Sequence, residues 1–192
     1  MPSSFSPDGQ KLAYYERNPD TGFDIWILPL DLADPDHPKP GKPEPFLRTS
    51  ADELLPKFSP DGHWIAYRSN ELGSTEIFVR PFPNGTGVKW QISKDGALYA
   101  FWSNNGHELF YETQDHRIMV VHYGANGDSF IPGKPRQWSN QLLYYPGSVN
   151  LDIAPDGKRF AVFAAPKDDQ AKGSVRVTML LNFFDELRRK LR

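Results

Sequence analysis

Aspartates recur along this chain of 192 residues at positions where a carboxylate could act as a general acid or base. Asp8, Asp61 and Asp156 each stand between a proline and a glycine, in copies of the sequence Ser/Ala-Pro-Asp-Gly. Proline presets φ to about −65°, aspartate accepts local backbone hydrogen bonds, and glycine tolerates positive φ. Catalysis needs one site, whereas this residue recurs in equivalent places, so we interpret it as structural. The predicted turn formers are Asp8, Gly9, Asp61, Gly62, Gly106, Asp156 and Gly157.

The histidines at positions 37, 63, 107, 116 and 122 form no pattern that would bind a metal. His63 and His107 directly follow a turn, at a position that carries glutamine or lysine in the other copies and therefore accepts any polar residue. His116 and His122 would share one face of an unbroken strand, about 20 Å apart by strand rise, which is too far for one zinc ion. No H-E-x-x-H or paired ligand spacing occurs, so we predict neither a metal nor a cofactor.

Motifs for nucleophilic and phosphate chemistry are also absent from the sequence. No G-x-S-x-G elbow occurs, and Ser74 and Ser148 follow glycine only at the entries to predicted strands. The glycines at 85 and 87 lack a following helix and Lys-Ser/Thr, so they predict no phosphate loop. The acidic pairs at 168–169 and 185–186 fall in a loop and a tail, where we expect them to be solvated. No catalytic residue is therefore predicted.

Composition and charge exclude several classes of protein. The formal net charge is −2 and the sequence pI is about 6.2, so nothing indicates nucleic-acid binding. The absence of cysteine excludes disulfides, thiolate metal sites and a cysteine nucleophile. No apolar run approaches the ~20 residues of a membrane span, and residues 1–4 lack the features of a signal peptide. Eighteen prolines and an aromatic content of 14% favour a turn-rich, all-β domain.

Four copies of one unit must position these residues. In each copy an apolar residue precedes the turn: Phe5, Phe58, Trp102 and Ile153. A polar-polar-apolar-small-aromatic pattern follows each turn, and this pattern predicts a strand that is covered on both faces. Further strands are predicted before the turns at 54–58, 98–102 and 148–153, after them at 24–28, 76–80, 117–121 and 175–180, and more weakly at 46–48, 88–92 and 136–138. Each unit is thus a four-stranded antiparallel meander of roughly the 40–50 residues expected of a propeller blade.

The whole chain is predicted to form a single all-β domain, a β-propeller of about four blades over residues 1–192. The predicted blades span 1–50, 51–93, 94–142 and 143–183, and the proline-rich segment 31–45 is a surface connection. The tail 184–192 is predicted to form a short amphipathic helix that caps the last blade, with contact to a partner or membrane surface as its alternative role. Most strand aromatics are expected to pack between blades, and the alternative for a few of them is to line the central channel: Trp26, Tyr67, Phe78, Trp90, Trp102 and Tyr111.

The repeat resembles that of a known family. Phe-Ser-Pro-Asp-Gly at 5–9 and 58–62, followed by Asp-Ile-Trp or Glu-Ile-Phe, is similar to the TolB-type WD-like β-propeller repeat. Segments 102–111, 151–160 and 177–187 resemble the C-terminal propeller of bacterial serine/threonine protein kinases. The sequence departs from that pattern at Leu151, which replaces a tyrosine, in the turn 103–106, and in having no kinase motif. The resemblance implies a sensor domain from a bacterial extracytoplasmic region.

The resemblance also implies a partial propeller, because TolB-like propellers usually carry six or more blades. The sequence predicts almost no inner strand before the first turn, so the first blade is expected to be incomplete. An open arc would expose blade faces and a strand edge, and both favour association. We therefore expect a homodimer formed through the open blade edges, and the alternative is a closed ring of four blades.

The expected function is that of a non-catalytic binding or sensing module with a protein or peptide ligand, without nucleic acid and without a membrane span. One alternative is a propeller that accompanies an α/β-hydrolase domain, as in prolyl-oligopeptidase-like enzymes. Another is a small hydrolase whose site lies on the channel or loop face. The identity of the ligand does not follow from the residue pattern.

Overall fold

A computed structural model of the protein describes residues 1–84, 87–104, 106–127, 129–144, 151–154 and 159–162. These residues form sixteen β-strands and contain no helix that could cross a membrane. The strands are β1 (Pro2–Phe5), β2 (Lys11–Asn18), β3 (Gly22–Asp31), β4 (Lys39–Pro40), β5 (Glu44–Leu47), β6 (Glu53–Phe58), β7 (Trp64–Ser69), β8 (Glu76–Pro81), β9 (Trp90–Gln91), β10 (Ala97–Trp102), β11 (Glu108–Thr113), β12 (Ile118–Asn126), β13 (Ser129–Pro132), β14 (Arg136–Gln137), β15 (Leu151–Ile153) and β16 (Phe160–Val162).

The strands form four antiparallel sheets that follow one another along the sequence. The first sheet has the order β1-β2-β3, with β4 and β5 both paired to β3. The second has the order β6-β7-β8-β9, and the third has β10-β11-β12, with β13 and β14 both paired to β12. The fourth sheet contains β15 and β16. The predicted four-stranded meander is confirmed in the first three sheets, and the outermost strand of the first and third is divided into two segments.

Each sheet begins with the strand that leads into a turn, and these inner strands β1, β6 and β10 are linked to one another. The Phe58 amide of β6 donates to Ser4 Oγ of β1 over 3.1 Å. The Trp102 indole of β10 donates to the Lys57 carbonyl of β6 over 2.9 Å. All three inner strands pair irregularly with the second strand of their sheet, and such bulges increase local twist and redirect side chains.

Successive side chains of the central strands face opposite neighbouring sheets. Ile65 and Tyr67 of β7 lie in the core shared with the first sheet, whereas Trp64 and Ala66 lie in the core shared with the third. This alternation follows from the two-residue period of a strand, and it explains why both faces carry apolar residues. Three such cores join the four sheets in sequence.

The strand aromatics mostly lie in these cores, as the sequence predicts. Five of them lie in or against a core between sheets: Tyr67, Phe78, Trp90, Trp102 and Tyr111. Trp26 differs, because it pairs with Tyr14 on the face of the first sheet that points away from the second sheet, and it is half-buried there. The prediction of packing between blades is therefore confirmed for all except Trp26.

The first sheet corrects the prediction that it has almost no inner strand. Strand β1 contains four residues and pairs with β2 from Pro2 opposite Tyr14 to Phe5 opposite Leu12. The pairing forms because it satisfies backbone donors and acceptors along the edge of β2. The predicted strand at 175–180 and the predicted C-terminal helix lie outside the described residues.

Candidate binding site at the inner strands

The first predicted turn residues form a local hydrogen-bond network. The Ser6 hydroxyl donates to Asp8 Oδ1 over 2.5 Å, and the Gln10 amide donates to the same oxygen over 3.0 Å. The Gly9 amide donates to the Ser6 carbonyl, and Gly9 has a φ of 71°. These hydrogen bonds lower the pKa of Asp8, with the Ser6 hydroxyl as the largest cause. The carboxylate therefore has local structural partners.

The second turn repeats this geometry. The Ser59 hydroxyl and the His63 amide donate to Asp61 Oδ1 over 2.5 and 3.0 Å, and Gly62 has a φ of 74°. Burial opposes ionisation of Asp61, but these donors together hold its pKa below the ordinary value. In the third copy Gly106 has a φ of 72° and donates to the Ser103 carbonyl. Asp156 and Gly157 of the fourth copy lie outside the described residues.

We expect the substitution Asp61→Ala to lower the free energy of unfolding by about 1 kcal/mol, because two donors lose their acceptor. Chemical denaturation followed by tryptophan fluorescence measures this change. His63→Gln is the matched control, because glutamine occupies the equivalent position 10, and we expect it to change stability by less than about 0.5 kcal/mol. Equal stability of Asp61→Ala and the unmodified protein would contradict the structural role of the turn.

Four of the five histidines each contact a different carboxylate. His116 has a φ of 62° and precedes β12, so no unbroken strand carries both His116 and His122, and the condition for their sharing one face is not met. A turn closed by the Thr113 amide and the Arg117 carbonyl interrupts it. No group of three potential ligands occurs among the described residues. The pairs are His37–Asp34, His63–Asp61, His116–Glu112 and His122–Glu108, with nitrogen–oxygen distances of 3.0, 3.4, 2.8 and 3.5 Å.

Four buried carboxylates were not predicted as functional residues, although two of them, Asp24 and Glu76, begin the Asp-Ile-Trp and Glu-Ile-Phe segments of the repeat. The four are Asp24, Glu53, Glu76 and Glu112. Glu53 at the start of β6 accepts a hydrogen bond from the Thr49 hydroxyl, whereas its Oε2 is buried with no donor among the described contacts. Burial raises the pKa of Glu53; hydrogen bonds from Thr49 oppose the rise, and the charges of Asp24 and Glu71 add to it.

The raised pKa of Glu53 predicts a pH dependence of stability. As the pH falls from 7, the folded protein binds a proton at Glu53 before the unfolded protein does. This group therefore favours folding increasingly, down to the ordinary glutamate pKa of 4.5 that applies in the unfolded chain. Glu53→Gln removes this dependence, and we expect it to raise the free energy of unfolding at pH 7 by roughly 1 kcal/mol. Denaturation at pH 5 and pH 7 tests this, and a variant with the same pH slope as the unmodified protein would refute it.

A cavity of about 400 Å³ lies where the inner strands meet. Its wall contains the residue that precedes each of the four turns, at equivalent positions of the repeat: Phe5, Phe58, Trp102 and Ile153. Phe5 is 60% exposed, which is unusual for a large apolar side chain. The repeat thus builds an apolar cavity at the inner strands, and Trp102 is the one residue among the highlighted strand aromatics that lines it.

The repeat position directly before these cavity residues is not occupied by similar residues in the four copies. It carries Ser4, Lys57, Phe101 and Asp152 in the four copies. Lys57 and Phe101 line the cavity, and Lys57 is the charged residue among its described lining. Because all four copies differ at this position, the repeat pattern does not mark Lys57 as a binding residue.

The backbone of β6 is unusual directly before Lys57. Leu55 has a φ of 56°, and the pairing of β6 with β7 is irregular between Leu54 and Lys57. Left-handed conformations at residues other than glycine are uncommon and cluster at functional sites. Lys57 follows this irregular segment, and its Nζ donates to the Ser3 carbonyl of the adjacent inner strand over 2.9 Å.

No protein-family model matches the sequence, and no curated protein sequence is significantly similar to it. Several solved structures share its fold. TolB from Acinetobacter baumannii is 19% identical with a TM-score of 0.58, over 88% of this chain and 38% of that one. The dihydro-heme d1 dehydrogenase NirN is 18% identical with a TM-score of 0.55, over 86% of this chain and 32% of that one.

A puromycin-hydrolyzing peptidase from Mycobacterium tuberculosis is 21% identical with a TM-score of 0.51, over 82% of this chain and 27% of that one. The present sequence thus spans less than half the length of each of these three proteins. At such identities the similarity concerns the fold alone, and a shared fold does not imply a shared function. The protein has a TolB-like β-propeller fold, with the sheets as blades and the cavity at the inner strands.

Proposed function

We propose that this protein is a non-catalytic binding module of the propeller type, whose ligand site is the cavity at the inner strands. The observation that carries the proposal is the composition of the wall, where apolar residues from four blades surround one lysine. A largely apolar cavity with few polar groups is typical of ligand sites, and about 400 Å³ falls within their usual volume. As part of this function, we also propose that the blades have the predicted boundaries and that the repeated aspartates act as turn formers.

Peptides selected from a random phage-displayed library against the full-length protein test the proposal. Phe5→Ser removes an exposed side chain from the cavity wall, and we expect it to weaken the selected peptides at least tenfold. Ile131→Ser is the matched control, because Ile131 is 55% exposed and does not line the cavity. This variant should bind the selected peptides with unchanged affinity. Unchanged affinity of Phe5→Ser, or no enriched peptide, would contradict the proposal.

Self-association through the free face of the first blade is proposed as well. Leu12, Tyr14 and Trp26 are half-buried there, whereas their equivalents in the second blade are buried against the first: Ile65, Tyr67 and Phe78. The repeat therefore leaves a blade-packing surface without a described neighbour. A second copy of the protein offers a surface of the same kind, so a homodimer is the occupant we propose.

Light scattering after size-exclusion chromatography tests the dimer. The variant Leu28→Lys places a cation on the free face, where the second blade carries Arg80 in the equivalent position, so the strand should tolerate it. We expect the unmodified protein to be dimeric at micromolar concentration and the variant to dissociate at least ten times more readily. A stable monomer of the unmodified protein would exclude the proposed dimer.

A propeller that accompanies a hydrolase domain is the alternative function. The fold shared with the puromycin-hydrolyzing peptidase favours this possibility, whereas the kinase-associated sensor role stays a prediction from the sequence resemblance. The gene that encodes the protein discriminates between them, because a hydrolase module should adjoin a hydrolase domain and a sensor should adjoin a kinase. An activity panel of aminoacyl and peptidyl esters tests a small hydrolase directly.

A further inference from the structure

We infer that the inner-strand cavity takes an apolar group that carries a carboxylate, with the Lys57 ammonium as its counter-ion. This inference rests on the proposed function and specifies the class of ligand for the same cavity.

The wall of the cavity suits an aromatic or large aliphatic group. Phe5, Phe58, Phe101 and Trp102 contribute rings, and Pro7, Pro60, Ala100 and Ile153 complete the apolar surface. The Trp102 ring is held in place, because its indole N–H donates to the Lys57 carbonyl and its ring packs edge-on against Tyr123 with centroids 5.2 Å apart. A rigid aromatic wall binds a ligand at low cost in conformational entropy.

Lys57 supplies charge to this apolar surface. Its ammonium has three N–H donors, and the Ser3 carbonyl accepts one of them over 2.9 Å. No carboxylate among the described residues forms an ion pair with Lys57, and Asp152 acts on it only at longer range. Burial lowers the pKa of Lys57, as expected for an ammonium without a close anion. A ligand carboxylate would supply the missing anion.

The charge of the cavity favours a carboxylate over a phosphate. Of the described residues that line the cavity, Lys57 alone is charged, so a single negative charge balances it. Asp152 occupies the position equivalent to Lys57 in the fourth blade and would repel an anion on that side. The carboxylate should therefore lie towards β6, with the apolar part of the ligand against the rings of β1 and β10.

Calorimetric titration of the full-length protein tests the inference with two matched pairs of probes. The first pair is 3-phenylpropanoate and 3-phenylpropanamide, and the second is acetyl-Gly-Gly-Phe with a free or an amidated C-terminus. We expect the acid of at least one pair to bind at least tenfold more tightly than its amide. Preference within the small-molecule pair alone indicates a free carboxylic acid, and preference within the peptide pair indicates the C-terminus of a peptide or protein.

Substitution of Lys57 completes the test. Lys57→Met should bring the acid to the affinity of the amide while the amide binds as before, and Lys57→Arg should keep a preference for the acid. Equal binding of acid and amide to the unmodified protein would overturn the inference and leave the proposed function standing, and this comparison needs no variant to fold. A preference that persists in Lys57→Met would also overturn it. Binding of no probe would overturn it too, and the phage-selected peptides then decide the proposed function separately.

Discussion

Replacing Trp64 with alanine is expected to lower the free energy of unfolding by about 4 kcal/mol, the largest effect we predict for a single substitution. Trp64 is 2% exposed and lies in the core between the second and third sheets. Its ring contacts those of Trp90 and Phe130, with centroids 5.7 and 5.3 Å away. Alanine would remove these contacts and leave a cavity between the second and third blades, and the cavity adds to the cost of losing the buried ring.

Two further substitutions make the test of Trp64 specific. Trp64→Phe keeps an aromatic ring and removes a buried indole N–H that has no acceptor among the described contacts, so we expect a loss of only about 1 kcal/mol. Trp138→Ala removes a tryptophan that is 37% exposed and should cost less than Trp64→Ala. Denaturant unfolding of the three variants measures the differences. Equal losses of unfolding free energy in Trp64→Ala and Trp138→Ala would contradict the position of Trp64 in the core between the second and third sheets.

Removal of the Glu76 carboxylate is the second large effect, with an expected loss of about 3 kcal/mol in Glu76→Ala. Glu76 at the start of β8 is 2% exposed. The Ser74 hydroxyl and the Gly96 amide donate to its Oε1 over 2.9 Å each, and the Ser93 hydroxyl donates to Oε2 over 2.5 Å. Ser93 and Gly96 lie between β9 and β10, so this carboxylate connects the second sheet to the segment that enters the third.

Glu76→Gln should lose less stability than Glu76→Ala, because the amide carbonyl still accepts from one of the donors while its NH₂ group faces another. Glu44→Ala is the exposed control in β5, with an expected change of less than about 0.5 kcal/mol. Thermal and denaturant unfolding measure all three variants. A change in Glu76→Ala no larger than that of Glu44→Ala would refute the role of Glu76 as a buried acceptor.

The strands and their packing could be predicted because the residues of the repeat determine both the turns between strands and the burial of each strand. A turn such as Ser59-Pro60-Asp61-Gly62 encodes its own hydrogen bonds over a few residues, and continuous apolar runs such as 64–67 report burial on both faces. The inner strand β1 was missed because its four residues have no apolar alternation, and their pairing depends on the edge of β2. That contact is tertiary and leaves no local signal.

The candidate site was predicted less well than the fold. The positions of Phe5 and Phe58 before the turns are visible in the sequence, but convergence of the inner strands on one cavity needs the arrangement of the sheets. Lys57 gives no local signal, since a single lysine on a strand is ordinarily solvated. The role of Glu76 as a buried hydrogen-bond acceptor could not be predicted from the sequence either, because its donors at 93 and 96 lie 17 and 20 residues away.

The five tryptophan indole signals in a nitrogen–proton NMR spectrum test most directly whether the inner-strand cavity is the ligand site. Titration with the acid that binds in the calorimetric test, 3-phenylpropanoate or acetyl-Gly-Gly-Phe, should shift the Trp102 indole signal saturably. Trp102 alone among the tryptophans lines the cavity, and it donates its indole N–H to the Lys57 carbonyl. The Trp26, Trp64, Trp90 and Trp138 signals should stay nearly unchanged. A saturable shift of one of these four signals, with no shift of Trp102, would contradict the account.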